Sequence, residues 1–147
     1  MVNQNPQPEF YTTRHDFVNG NGQGTVVTEE VFTNQSFNEE VRIYGVMVQV
    51  VDEDGDALNY GDLQTQGTYE FDLTIQAGPN RIPSSAFSAS RILRANDRTL
   101  AFSSPVLILH RQPLQVSVEY RGSSAFTSGE NLTFVVTLIS EIYIRQE

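Results

Sequence analysis

The order of apolar and polar residues has a period of two over much of the chain. Tyr69, Phe71, Leu73 and Ile75 alternate without interruption with Glu70, Asp72, Thr74 and Gln76, which predicts an extended strand buried on one face. Leu114, Val116, Val118 and Tyr120 repeat the pattern against Gln115, Ser117, Glu119 and Arg121. Residues 132–144 place Leu132, Phe134, Val136, Leu138, Ile142 and Ile144 on one face, a length that predicts a central strand or two strands joined at a bend. In residues 41–51 the apolar phase of Val41 and Ile43 shifts to Val46, Val48 and Val50 after Gly45, as a β-bulge at the glycine would require. Val106-Leu107-Ile108-Leu109, between Pro105 and Pro113, is apolar at successive positions and predicts a short strand buried on both faces. Shorter candidates lie at residues 10–18, 25–32, 57–60 and 98–103.

Turn residues separate these runs. Asn19-Gly20-Asn21-Gly22-Gln23-Gly24 reads as a mobile loop or tight reversal, and Asp54-Gly55 as a hairpin tip. One short helix is expected within residues 84–95, capped by Ser84 or Ser85. Many short strands without strand-helix alternation predict an all-β protein: an antiparallel sandwich of eight or nine strands, best read as a single jelly roll with an extended N-terminal arm. An immunoglobulin-like sandwich is the competing architecture, and would leave the amino-terminal segment as an appendage. The boundary is expected after the glycine-rich loop, with residues 1–24 forming arm and loop and residues 25–147 the sandwich.

The 147 residues suffice for one core and leave no room for a second of ordinary size. Apolar runs of four or five residues are too short to cross a membrane as a helix, so no membrane insertion is expected. Eighteen acidic residues against nine basic ones give a formal charge of -9, which disfavours a general grip on nucleic acid. All nine basic residues are Arg and none is Lys, a bias that suits packed interfaces or concentrated salt, where excess carboxylates repel little; an Arg-favouring genome is the alternative cause. The chain has no Cys, which removes disulfides, thiolate nucleophiles and thiolate metal sites together.

Candidate chemistry is sparse. Asp52-Glu53-Asp54-Gly55-Asp56 carries alternating carboxylates of the kind Ca²⁺ takes. Counted from Asp52, however, the glycine and bidentate-glutamate positions of an EF-hand loop fall on Ala57 and Leu63. A hairpin with solvated acids is the first reading, with Ca²⁺ held by Asp52, Asp54 and Asp56 as the alternative; no other cofactor is expected. His15 and His110 lie in no catalytic or metal spacing and are read as hydrogen-bonded or surface imidazoles. Adjacent acids such as Glu29-Glu30 and Glu39-Glu40 would face opposite ways on strands. The pattern predicts a protein that is not an enzyme.

Residues 1–9 are polar, contain Pro6 and Pro8, and offer little to pack internally, so they are expected to lie across a neighbouring subunit. The expected partner contacts are Asn3, Asn5, Pro6, Pro8, Phe10 and Tyr11. This arm, the glycine-rich turns, and closing segments such as Pro113-Leu114-Gln115-Val116-Ser117-Val118-Glu119-Tyr120 and Asn131-Leu132-Thr133-Phe134-Val135-Val136-Thr137-Leu138 resemble the single jelly-roll structural proteins of virions, including the pentons, minor capsid and decoration proteins of bacterial or archaeal viruses. The resemblance implies a virion location, a capsid vertex, minor capsid or decoration role, a homo-oligomer such as a pentamer or trimer, and contacts with neighbouring capsid subunits. It implies no catalytic residues. The alternative is a cell-surface or glycan-binding sandwich module of the adhesin kind; an enzyme with dispersed carboxylates is a third reading.

Overall fold

The computed structural model of the chain describes residues 7–33, 39–58, 70–78, 80–88, 92, 99–108, 112–122, 125–126 and 131–144. Nine strands follow one another: β1 (Gln7–Phe17), β2 (Val26–Thr33), β3 (Glu39–Val51), β4 (Ala57–Leu58), β5 (Phe71–Ala77), β6 (Asn80–Ser88), β7 (Thr99–Ile108), β8 (Pro113–Tyr120) and β9 (Leu132–Ile144). One antiparallel sheet has the order β1-β9-β3, and the far side of β3 is shared by β7 along one half and by the two-residue β4 at its end. The second sheet has the order β2-β8-β5-β6. Leaving the short β4 aside, the orders β1-β9-β3-β7 and β2-β8-β5-β6 are those of a jelly roll, in which the chain passes repeatedly between two facing sheets.

Alternation explains why each strand sits where it does. The buried faces of β5, β8 and β9 are the apolar sets Phe71, Leu73, Ile75; Leu114, Val116, Val118, Tyr120; and Leu132, Phe134, Val136, Leu138. β9 is a single 13-residue strand between β1 and β3, the central position its length predicted. In β3 the register against β9 shifts between Ile43 and Gly45, and burial changes phase there from Val41 and Ile43 to Val46, Val48 and Val50. A Cβ at Gly45 would come within 2.8 Å of the Leu100 carbonyl oxygen, so the close approach of β7 at the bulge requires a glycine. Prolines fall where no ladder bond is lost: Pro8, Pro83 and Pro105 lie on the edge strands β1, β6 and β7, and Pro113 opens β8.

At one end of the sandwich the core is aromatic. The Phe71 ring lies 4.2 Å from Phe134 and 5.1 Å from Phe17 between centroids, and Tyr120 and Phe126 close the cluster. Gly20 and Gly24, at φ 94° and 91°, turn the chain from β1 in one sheet to β2 in the other, so the glycine-rich segment is a tight reversal. The Gly20 N–H donates to the Phe126 carbonyl, tying the reversal to the aromatic end.

The strand expected at residues 10–18 is present and begins earlier, at Gln7: β1 pairs with β9 from Gln7 opposite Ile142 to Phe17 opposite Leu132. Two expectations are corrected. Ser84–Ser88 belong to β6, so no helix starts at Ser84; within residues 89–98 only Ile92 is described, and it is helical and buried. The runs expected at 98–103 and 106–109 are not two strands: residues 99–108 form one, β7, in which Leu107 is exposed while Ile108 is buried. Leu107 falls on the outward face of this edge strand, so successive apolar residues there do not both find a core.

Candidate functional site

Each sheet has one face in the core and one facing outward, and the two outward faces differ. On the second sheet that face carries Asp72, Thr74 and Gln76 from β5, Gln115, Ser117 and Glu119 from β8, and Thr28 and Glu30 from β2, with the exposed Val26 its apolar member. These groups bond to one another. Thr28 Oγ1 and Ser117 Oγ are 2.8 Å apart, and Arg121 lies 2.9 Å from Glu119 and 3.6 Å from Asp72. Such a face is content in water.

The outward face of the first sheet carries an apolar stripe. Phe10 on β1, 60% exposed, stands directly opposite Ile139 on β9. On the other side of Ile139 is Gly45, which has no side chain to cover it. Met47, 39% exposed, is opposite Thr137 one step along, and Leu107 on β7, 46% exposed, continues the apolar surface beyond Arg42. Strict alternation puts these residues outside: their neighbours Tyr11, Leu138, Val46 and Ile108 occupy the inward positions. Large exposed apolar groups are thus gathered on one outward face, while the outward face of the other sheet is polar.

Polar groups border the stripe. At one end Arg42 holds Glu40 through Nε at 2.8 Å and Nη2 at 2.7 Å, while its guanidinium lies 4.1 Å from the centre of the Tyr143 ring. The hydrogen bond to Glu40 raises the Arg42 pKa further. The Tyr44 and Tyr143 hydroxyls are 3.0 Å apart, and that hydrogen bond raises the Tyr143 pKa. At the other end Thr133 donates to Asp16 at 2.7 Å, and Thr12 and Thr137 bond across the strands at 3.2 Å.

The six expected partner contacts divide accordingly. Pro8 and Phe10 are exposed on β1, and Phe10 anchors the stripe; Tyr11 points inward and packs against the core, half-buried. Asn3, Asn5 and Pro6 lie outside the described residues, as does His110. Ile139 and Met47 were missed in the sequence because they reach Phe10 only through the pairing of strands far apart in the chain.

The acidic segment is a hairpin. Asp52 Oδ1 accepts the N–H groups of Asp54 and Asp56, each at 2.9 Å, and Gly55 takes φ 87°. A hollow of about 250 Å³ beside it is lined by Asp16, Asp52, Glu53, Asn131 and Thr133 among others. Its acids are bonded locally: Glu53 to Asn131 at 3.5 Å and Asp16 to Thr133. Among the described residues no three His, Asp or Glu side chains converge as a metal ion would require. Glu29 and Glu30 follow one another on β2 opposite Val116 and Gln115, and line a shallow groove against Thr12, Thr13 and Arg14.

Strand order and sidedness together define a jelly-roll sandwich with an apolar stripe on one outward face. No protein-family model matches the chain, and no curated protein matches it in sequence. Among solved structures it overlaps a chain of Desmodium yellow mottle tymovirus, at TM-score 0.36 and 9% identity over 100% of this chain and 86% of that one. It also overlaps a chain from the structure of infectious bursal disease virus, Gx strain, at TM-score 0.28 and 11% identity, over 95% of this chain and 40% of that one. Overlaps this loose carry no functional weight, and the jelly-roll assignment rests on strand order alone.

Proposed function

We propose that this protein is a structural subunit of a virus shell, a vertex, minor capsid or decoration subunit that works by shape and repeated contact and catalyses nothing. The single observation that carries the reading is the sidedness of the sandwich: an outward apolar stripe of Phe10, Ile139 and Met47 on one sheet and a hydrogen-bonded polar face on the other. The occupant of the stripe is another copy of the chain or a neighbouring shell subunit, with Pro8 at its rim. A trimer or pentamer is the expected oligomer. Individually weak contacts suffice when many engage at once. Screening by salt favours the assembly, because a formal charge of -9 on every copy opposes close packing in dilute buffer.

The absence of Cys allows a direct test. Single-cysteine variants Met47→Cys, on the stripe, and Thr74→Cys, on the polar face, are labelled with a maleimide in the assembled particle and after dissociation. The reading expects Met47→Cys to be protected only in the assembly and Thr74→Cys to react equally in both. Protection of Thr74→Cys with free labelling of Met47→Cys would overturn it.

A further inference from the structure

Beneath the groove between β1 and β2 lies an imidazole with no exposed surface. His15 sits on the inward face of β1, opposite Phe134 of β9. Its Nδ1 is 2.9 Å from the Val27 carbonyl oxygen of β2, and its Nε2 is 2.8 Å from Thr13 Oγ1. A carbonyl can only accept, so Nδ1 carries the proton and Nε2 is bare, accepting the Thr13 hydroxyl. The neutral ring is thereby satisfied at both nitrogens. The bond to Val27 crosses from one sheet to the other at a place where each sheet ends: β1 is hydrogen-bonded in its sheet to β9, and β2 in its sheet to β8.

We infer that His15 is a proton-operated latch between the two sheets, closed while the ring is neutral and released when Nε2 takes up a proton. Protonation puts a cation in a buried site. It also makes Nε2 a donor, so the Thr13 oxygen must accept and its own proton loses that partner. Charged groups surround the ring unevenly. Glu29 on β2 and Asp16 on β1 favour the cation, and Arg14 and Glu30 line the groove beside them. β9 and β8 contribute the buried apolar Phe134, Val116 and Val118. Burial outweighs the Val27 hydrogen bond and the two carboxylates, all of which favour the cation, and holds the His15 pKa below the ordinary imidazole value of 6.5. The sign follows: the unfolded or opened ring takes its proton first, so closure is at full strength above about pH 6.5 and weakens as pH falls toward the lower folded value. The groove, about 450 Å³, lets water reach the seam as it opens.

The test is amide hydrogen exchange on the intact protein between pH 7.5 and 5, corrected for intrinsic rates, with His15 followed by NMR in a His110→Gln variant that leaves one imidazole. The latch predicts that opening at the β1–β2 seam increases by up to about tenfold per pH unit below about 6.5, as linkage to one proton requires. Amides in the β3–β9 pairing should change far less, and the His15 ring should titrate below 6.5. In His15→Gln the pH dependence of the seam should vanish; should that variant not fold, exchange and ring titration in the histidine-containing chain decide. Seam exchange that does not vary with pH, or a ring midpoint at or above 6.5, overturns the inference.

Discussion

Phe10 and Phe17 are the same residue on the same strand, on opposite faces, and the structure assigns them opposite tasks. Phe17 has no exposed surface and lies 5.1 Å from Phe71, 6.0 Å from Phe126, 6.4 Å from Tyr120 and 6.4 Å from Phe134, so it joins both sheets and the segment around residue 126. Burying a phenylalanine side chain is worth about 1.5–3 kcal/mol and favourable ring pairs about 0.5–1.5 more. With the cavity left behind, Phe17→Ala should cost about 3–5 kcal/mol. For a chain of this length that lowers Tm by about 6–20 °C. Phe10→Ala in the dissociated protein should stay within about 0.5 kcal/mol, since it removes an exposed ring. Guanidinium unfolding of both variants below the assembly concentration measures the contrast, with an unchanged m-value showing that the denatured state is the same. A cost under about 1 kcal/mol for Phe17→Ala, or equal costs for the two, would refute the facing of β1.

Other substitutions probe separate parts of the account. Gly45→Ala should destabilise by about 1–3 kcal/mol, because its Cβ meets the Leu100 backbone oxygen and β7 must move; thermal unfolding measures this. Asp52→Ala removes the acceptor of two backbone N–H groups at an exposed hairpin and should cost about 1 kcal/mol, with faster amide exchange at Asp54 and Asp56. Addition of Ca²⁺ should leave the Tm of the unsubstituted protein unchanged, because the Asp52 carboxylate already serves the turn; a concentration-dependent rise would restore the cation reading.

The sheets were legible wherever one face of a strand is buried and the other is wet, since a period of two then appears in the sequence itself, as in β5, β8 and β9. The bulge at Gly45 was legible for the same reason, as a change of phase. Edge strands were harder. β6 contains Pro83 and three serines and shows no alternation, so its residues read as a helix start although pairing with β5 makes them a strand. β1 begins with polar residues that read as an arm, and its pairing partner lies more than a hundred residues away. The apolar stripe was only partly visible: Phe10 stood out beside the arm, but its union with Ile139 and Met47 depends on register. The partners of His15 likewise come from the packing of two sheets, which a list of residues does not contain.

The central claim is that the stripe joins copies of this chain or its shell neighbours, and the most direct measurement is absolute mass by light scattering after size exclusion, in dilute buffer and in about 2 M salt. The account predicts a discrete trimer or pentamer, favoured by salt, that a Phe10→Asp, Met47→Asp double variant reduces to the 16.5 kDa monomer while keeping its fold. An oligomer that survives the double variant would contradict the stripe as the interface, and a monomer in both buffers would contradict self-assembly through it.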